Sequence, residues 1–192
     1  MSNRTALVTL LMLLGLGACA LSPQVVTVDP EVTAPSATAG NGTAVALDVV
    51  DARGNPVIGH RGGVYSKTAT ISTTDDMTAT VRRRLSAALE NAGYRVVGAG
   101  SAPVLHVEIA GLDYSVSKQE VSREVTTVAR INAVFRKGNK TYNNTYTVTR
   151  HKKMLFAPGE DENAKLINAT LAAALQRLLD DNELLGLINA TG

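Results

Sequence analysis

The stretch ARINAVFRKGNKTYNNTYTV, residues 129–148, decides the fold. Two runs of alternating apolar and polar residues flank Gly138-Asn139, a two-residue signal of the kind that closes a β-hairpin. The turn predicts its own register. Phe135 faces Tyr142, Ala133 faces Asn144, Ile131 faces Tyr146 and Ala129 faces Val148, all on one side of the sheet. On the other side Arg136 meets Thr141, Val134 meets Asn143, Asn132 meets Thr145 and Arg130 meets Thr147. A slip of one residue would turn every apolar side chain outward, so turn and alternation constrain each other.

The same odd-numbered alternation reaches back through Val125 to Val121, giving one long strand. The strand before it changes phase: Leu105, Val107 and Ile109 are apolar at odd positions, Leu112, Tyr114 and Val116 at even ones. One extra residue does this, so a β-bulge is expected at Ala110-Gly111. Shorter strands are expected at Val45-Leu47-Val49, at Thr68 to Ser72 and at Tyr94 to Val97. Between the last two, Met77, Val81, Leu85, Leu89 and Ala92 form one helical stripe. Thr74, Asp75 and Asp76 supply its cap, and Gly93 its stop. Arg82, Arg83 and Arg84 on this helix fan out over about 200° and read as a solvated face. A second helix, from about Asp161, carries Ala164, Ile167, Leu171, Ala174, Leu175 and Leu178 on one face. Asp180-Asp181-Asn182 ends or bends it, leaving a short apolar tail around Leu184, Leu185, Leu187 and Ile188. The expectation is an α+β domain of two layers, a mostly antiparallel sheet with two amphipathic helices on one face. The other face, rich in Thr and Asn, is left to solvent or a partner.

The N-terminal residues have a different character. Arg4 precedes an apolar run, Ala6 to Leu16, that closes on Gly17-Ala18 before Cys19, the only cysteine in the chain. This is the layout of a secretory signal, with an apolar run too short to span a bilayer. Leu16-Gly17-Ala18-Cys19 resembles the lipobox of bacterial lipoproteins, which implies cleavage between Ala18 and Cys19. It also implies a thioether diacylglycerol and an acylated amine on Cys19. Residues 1–18 are then a signal peptide, 19–42 the lipidated cysteine and a Pro- and Gly-containing tether, and 43–192 a single periplasmic domain. The tether would reach roughly 70 Å fully extended, with a short extended piece at Val25 to Val28. Ala20-Leu21 after the cysteine, with no Asp there, points to the outer membrane by the same resemblance. Attachment through lipid alone is expected, because no later apolar run is long enough to cross a membrane.

Nineteen basic and seventeen acidic residues give the whole chain a charge of +2, and loss of Arg4 leaves +1. That balance gives no reason to expect nucleic acid as a partner. With Cys19 acylated no thiol remains for catalysis, disulfides or thiolate metal sites. His60, His106 and His151 are far apart; His106 and Glu108 share a strand face, which is too few ligands for a metal site. Lys67-Thr68 lacks the glycines of a phosphate-binding loop, and there is no G-x-S-x-G or H-E-x-x-H pattern. No catalytic residue, metal or cofactor is expected beyond the covalent lipid.

One loop, Arg53 to Tyr65, carries residue types not chosen for burial. Gly59, Gly62 and Gly63 free backbone NH groups beside Arg53 and Arg61, the chemistry of an anion or partner site. Equally, Asp51 can pair with either arginine while the glycines let a crossing loop lie flat on the sheet. Both readings stand at this point. Asp51-x-Arg53, Gly59-x-Arg61-Gly62-Gly63-x-Tyr65, Thr68-Ala69-x-Ile71 and Gly93-Tyr94, behind a lipobox and a Pro-containing tether, resemble the YajG-type family of outer-membrane lipoproteins. The resemblance spans essentially the whole chain and implies an envelope location and an α+β domain, with no agreed activity or catalytic residues. The expectation is a non-enzymatic accessory or structural module of an envelope assembly with a protein partner. The alternative is a binding module for a cell-wall fragment or other anionic envelope molecule, using Arg53, Arg61 and the Thr/Asn face.

Overall fold

The computed structural model describes residues 21–35, 40–63, 67–73, 76–118 and 120–190. In chain order the elements are β1 (Gln24–Val26), β2 (Ala44–Asp51), β3 (Val57–His60), β4 (Thr70–Thr73), α1 (Met77–Asn91), β5 (Arg95–Val97), β6 (Val104–Lys118), β7 (Arg123–Lys137), β8 (Lys140–Met154), α2 (Glu160–Leu179) and α3 (Asn182–Asn189). The three 15-residue strands β6, β7 and β8 form an antiparallel meander that frames the sheet. Every facing pair expected across Gly138-Asn139 is present. Gly138 sits there at φ +56°, in the left-handed region that such a turn requires. The register shifts between Ile109 and Gly111, where the bulge was expected, so Val107, Ile109, Leu112 and Tyr114 all reach the buried face.

The remainder makes the sheet mixed, although the long antiparallel strands β6, β7 and β8 supply most of its pairing. β2 runs parallel to both β6 and β5, β3 meets β6 in parallel at Gly59 and Tyr114, and β1 runs parallel to β4. Of these short strands only β3 and β4 pair antiparallel. Parallel neighbours need long crossovers, and α1, between β4 and β5, lies on one of them. The β3 segment reads as loop in the sequence because it has no apolar alternation. Its position depends on Gly59: a Cβ there would lie 1.8 Å from the Tyr114 carbonyl oxygen. Only glycine lets the two backbones approach so closely.

Both long helices bury their stripes in one core. Met77, Val81, Leu85 and Leu89 of α1 and Ile167, Leu171, Leu175 and Leu178 of α2 join the inward residues of β2, β6, β7 and β8. A third helix, α3, stands where an apolar tail was expected, and buries Leu184, Leu185 and Ile188. Asp181 caps it, accepting hydrogen bonds from the backbone NH groups of Glu183 and Leu184 at 3.0 and 3.1 Å. Thr74 and Asp75 lie outside the described residues; Asp76 occupies the N-cap of α1 without a side-chain cap bond.

The main correction concerns the N-terminal segment. Residues 21–35 have the composition of a tether but are packed onto the domain. Val26 and Val28 are 0% and 2% exposed, and β1 extends the sheet from β4. The Asp29 NH donates to Asn168 Oδ1 on α2 at 2.8 Å, while the Asp29 carboxylate accepts two bonds from Arg84 on α1 at 2.8 and 2.5 Å. Thr33 reaches Gln176 Oε1 through both its NH and its hydroxyl. Further on, the Gly40 NH donates to the carbonyl of Ala92 at the end of α1. The segment is a strap across both helices. Pro, Thr and Ser do not rule out burial; beyond β1, the NH groups of Asp29 and Thr33 bond to side-chain amides instead of a ladder.

Candidate functional site

The loop with the arginines and glycines divides into two places. Arg53 Nε and Nη2 each donate to the Asp51 carboxylate at 2.8 Å, and Nη2 also reaches Thr73 Oγ1 at 3.0 Å. Burial alone would raise the Asp51 carboxyl, but the hydrogen bonds from Arg53 outweigh it and hold the group below its usual value. The Arg53 side chain is 7% exposed, and its Nη1 is buried without a hydrogen-bond partner. Beside it is a polar hollow of about 180 Å³ lined also by Asn55, Asp113 and Arg130.

Arg61 lies beyond the other end of β3. It is 8% exposed, donating from Nη1 to the Ser22 carbonyl at 2.8 Å and from Nη2 to the Pro158 carbonyl at 3.0 Å. One guanidinium thus clamps the start of the strap to the loop before α2. Gly62 and Gly63 follow at φ +72° and +92°, a path that other residues rarely take. A Cβ on Gly62 would touch Val116, and one on Gly63 would touch Leu21. The four residues of β3 separate Arg53 from Arg61 by roughly 13 Å or more, so the two do not converge on one ligand. Tyr65, Ala18 and Cys19 lie outside the described residues.

Around the clamp is a buried polar cluster that sequence reasoning missed. Tyr114 Oη donates to Asn163 Oδ1 at 2.8 Å, and the side-chain amides of Asn163 and Gln24 are 2.7 Å apart. Burial pushes the Tyr114 hydroxyl up to about 12. The only signal was Asn163 itself, a polar residue just before the stripe of α2 that turns out to be fully buried. β1, β3, β6 and α2 therefore meet at the end of the molecule where the chain enters the fold.

A second polar cluster lies around Asp181. Its Oδ2 accepts from Tyr142 Oη at 2.5 Å, Tyr146 Oη at 2.6 Å and Asn144 Nδ2 at 3.2 Å, while Oδ1 caps α3. Burial is the largest single influence and would raise this carboxyl, but the donors together outweigh it and hold it at about 2. Burial pushes Tyr146 upward, and its hydrogen bond to the carboxylate adds to the rise. The sequence shows Tyr142 and Tyr146 on the inward side of their strand, where buried hydroxyls need an acceptor. Only the tertiary fold identifies Asp181 as that acceptor.

The outer face of the sheet is polar and ordered. His106 Nδ1 is 2.8 Å from Asp48 Oδ2, and Thr145 donates to Asn132 at 2.9 Å. Arg82 reaches the carbonyls of Leu47 and Val49, covering the edge of β2 beyond β5. Arg83 and Arg84 turn to Asp29, so the three arginines serve two internal contacts. Among the described residues no group of three or more His, Cys, Asp and Glu side chains is placed to hold a metal ion. Two clefts, along α2 beside Asp29 and beside the β7–β8 turn, have no histidine or serine in their linings. No helix among the described residues is long and apolar enough to cross a membrane.

A family model described as uncharacterized lipoprotein matches residues 30–189. No match was found among curated proteins. The crystal structure of protein XCC0632 from Xanthomonas campestris is 16% identical, with a TM-score of 0.56, over 88% of this chain and 96% of that one. A crystal structure of an uncharacterized protein is 13% identical over 82% and 99% of the two chains, with a TM-score of 0.44. A Helicobacter pylori protein named for homology to a neuraminyllactose-binding hemagglutinin is 11% identical over 84% and 97%, with a TM-score of 0.42. At such identities the likeness to XCC0632 concerns the fold alone.

Proposed function

The chain belongs to that family of uncharacterized lipoproteins, and from this premise we propose that it is anchored to the outer membrane through lipid on Cys19, facing the periplasm. There it serves as a non-enzymatic accessory or structural module of an envelope assembly. The observation that carries this reading is the Arg61 clamp. It holds the main chain at Ser22, three residues after Cys19, so an anchor on that cysteine is coupled to a folded body rather than to a loose leash. The ordered Thr/Asn face of β7 and β8 is the surface offered to a protein partner. The test has two arms. Mass spectrometry of the mature protein should find a diacylglyceryl group on Cys19, with Cys19→Ala released from membranes and globomycin blocking processing of the wild type. Crosslinking in cells should then recover a reproducible envelope protein; recovery of none would remove the assembly role.

A second reading, binding of an anionic envelope molecule, is favoured by one observation: the partnerless Arg53 Nη1 beside a polar hollow shared with Arg130. Thermal shift with muropeptides and with inorganic phosphate tests it. A rise in melting temperature that disappears in Arg130→Ala supports a site at the hollow, and no rise with any of them removes it.

A further inference from the structure

We infer that the end of the domain around Phe156 docks on the phospholipid surface beside the anchor. This rests on the lipid attachment proposed above. Among the described residues, the three large apolar side chains most exposed to solvent are Val121 at 85%, Phe156 at 80% and Leu155 at 71%. They share one end of the sheet. Val121 lies in the turn between β6 and β7, closed by the pair Lys118 and Arg123, and Leu155-Phe156 follow directly on Met154, which pairs with Arg123 across β7 and β8. Neighbouring strands lie about 5 Å apart, so the two loops are adjacent.

The same end receives the chain. Arg61 bridges the Ser22 and Pro158 carbonyls with one guanidinium. Phe156 is two residues from one of these carbonyls, and Cys19 is three residues from the other. Three residues reach at most roughly 11 Å, so an acylated Cys19 holds this end of the protein against the headgroups. Two apolar side chains in tandem and a third beside them then face a lipid surface, where aromatic and aliphatic groups enter the headgroup–acyl boundary. The surrounding charges are mixed: Lys118, Arg123 and Lys153 alternate with Glu120 and Glu124, and Lys152 pairs with Glu162. The occupant is therefore a phospholipid bilayer contacted through apolar groups, with no requirement for anionic lipid. A second copy of the chain or an envelope protein covering the same patch are the competing outcomes.

The chain contains no tryptophan, so Phe156→Trp introduces a single fluorescent reporter. The full-length lipidated protein is reconstituted in vesicles of phosphatidylethanolamine and phosphatidylglycerol, with and without bromine on the acyl chains. Asn139→Trp, in the turn at the far end of β7 and β8, is the control. Docking predicts at least twofold quenching by the brominated lipid at position 156 and none at 139, in vesicles with or without phosphatidylglycerol. Full access of position 156 to aqueous iodide in protein that floats with the vesicles would overturn the docking while leaving the anchor standing. A blue shift at 156 that rises with protein density and ignores bromine would assign the patch to a protein contact and overturn it equally. Absence of lipid on Cys19 by mass spectrometry would remove the anchor and the docking together.

Discussion

Asp181 provides a quantitative test of how the C-terminal half is held. Its two oxygens do different work: Oδ1 caps α3, and Oδ2 accepts the hydroxyls of Tyr142 and Tyr146. In Asp181→Ala the cap is lost at about 1 kcal/mol. The Tyr146 hydroxyl, on a residue 7% exposed, loses its acceptor at a further 1–3 kcal/mol or so. The sum, about 3 kcal/mol, corresponds to a melting temperature roughly 10 °C lower for a domain of this size. Asp181→Asn keeps a cap acceptor and a second polar atom but loses the carboxylate charge, and should cost about 2 kcal/mol. Both variants also differ from wild type in pH dependence, because neither carries an ionisable group at this position. The carboxyl is held at about 2 in the fold against 3.8 ordinarily. A depressed carboxyl stabilises the fold above its unfolded value, so the contribution, at most about 2 kcal/mol, is complete above pH 4 and is lost as pH falls towards 2. The gap between wild type and Asp181→Asn should therefore narrow over that interval. Urea melts at pH 7, 4 and 2.5 measure all of this. Asp181→Ala within 0.5 kcal/mol of wild type, or a gap to Asn that stays constant with pH, would refute the reasoning.

Other outcomes follow from single contacts. Gly59→Ala places a Cβ 1.8 Å from the Tyr114 oxygen and should cost about 3 kcal/mol or prevent folding, read by chemical denaturation or by loss of soluble protein. Arg61→Ala removes both bonds that hold Ser22 and Pro158; it should lower stability by about 2 kcal/mol and bring proteolytic cleavage within residues 21–35 at lower protease doses than in wild type. Tyr114→Phe leaves buried Asn163 Oδ1 without its donor and should cost about 1–2 kcal/mol.

What the sequence disclosed and what it hid divide by range. Gly138-Asn139 and the alternation on either side are local, and they specify the β7–β8 register completely. The phase change at Ala110-Gly111 is equally local, as are the stripes of α1 and α2. β3 was hidden because its reason for being a strand lies elsewhere, in the backbone of Tyr114. The strap was hidden for the same reason: Asp29 and Thr33 take partners from Asn168, Arg84 and Gln176, and composition says nothing of them. Of the loop chosen for its arginines, the residue types were conspicuous but their partners were not. Arg53 has a neighbour in sequence, Asp51, as one reading had it, whereas Arg61 holds two distant carbonyls. The Asp181 cluster was half visible: the cap signal and the inward tyrosines were both present, with nothing in the sequence to join them.

The strap also fixes an order of events. Asp29 and Asn168 are 139 positions apart, so a segment made well before α2 docks on that helix. Contacts of such separation close late, after the loop between them has been organised. Asp29 and Thr33 stay without these partners until α2 has been made. A chain wired this way completes itself only when its far end has arrived.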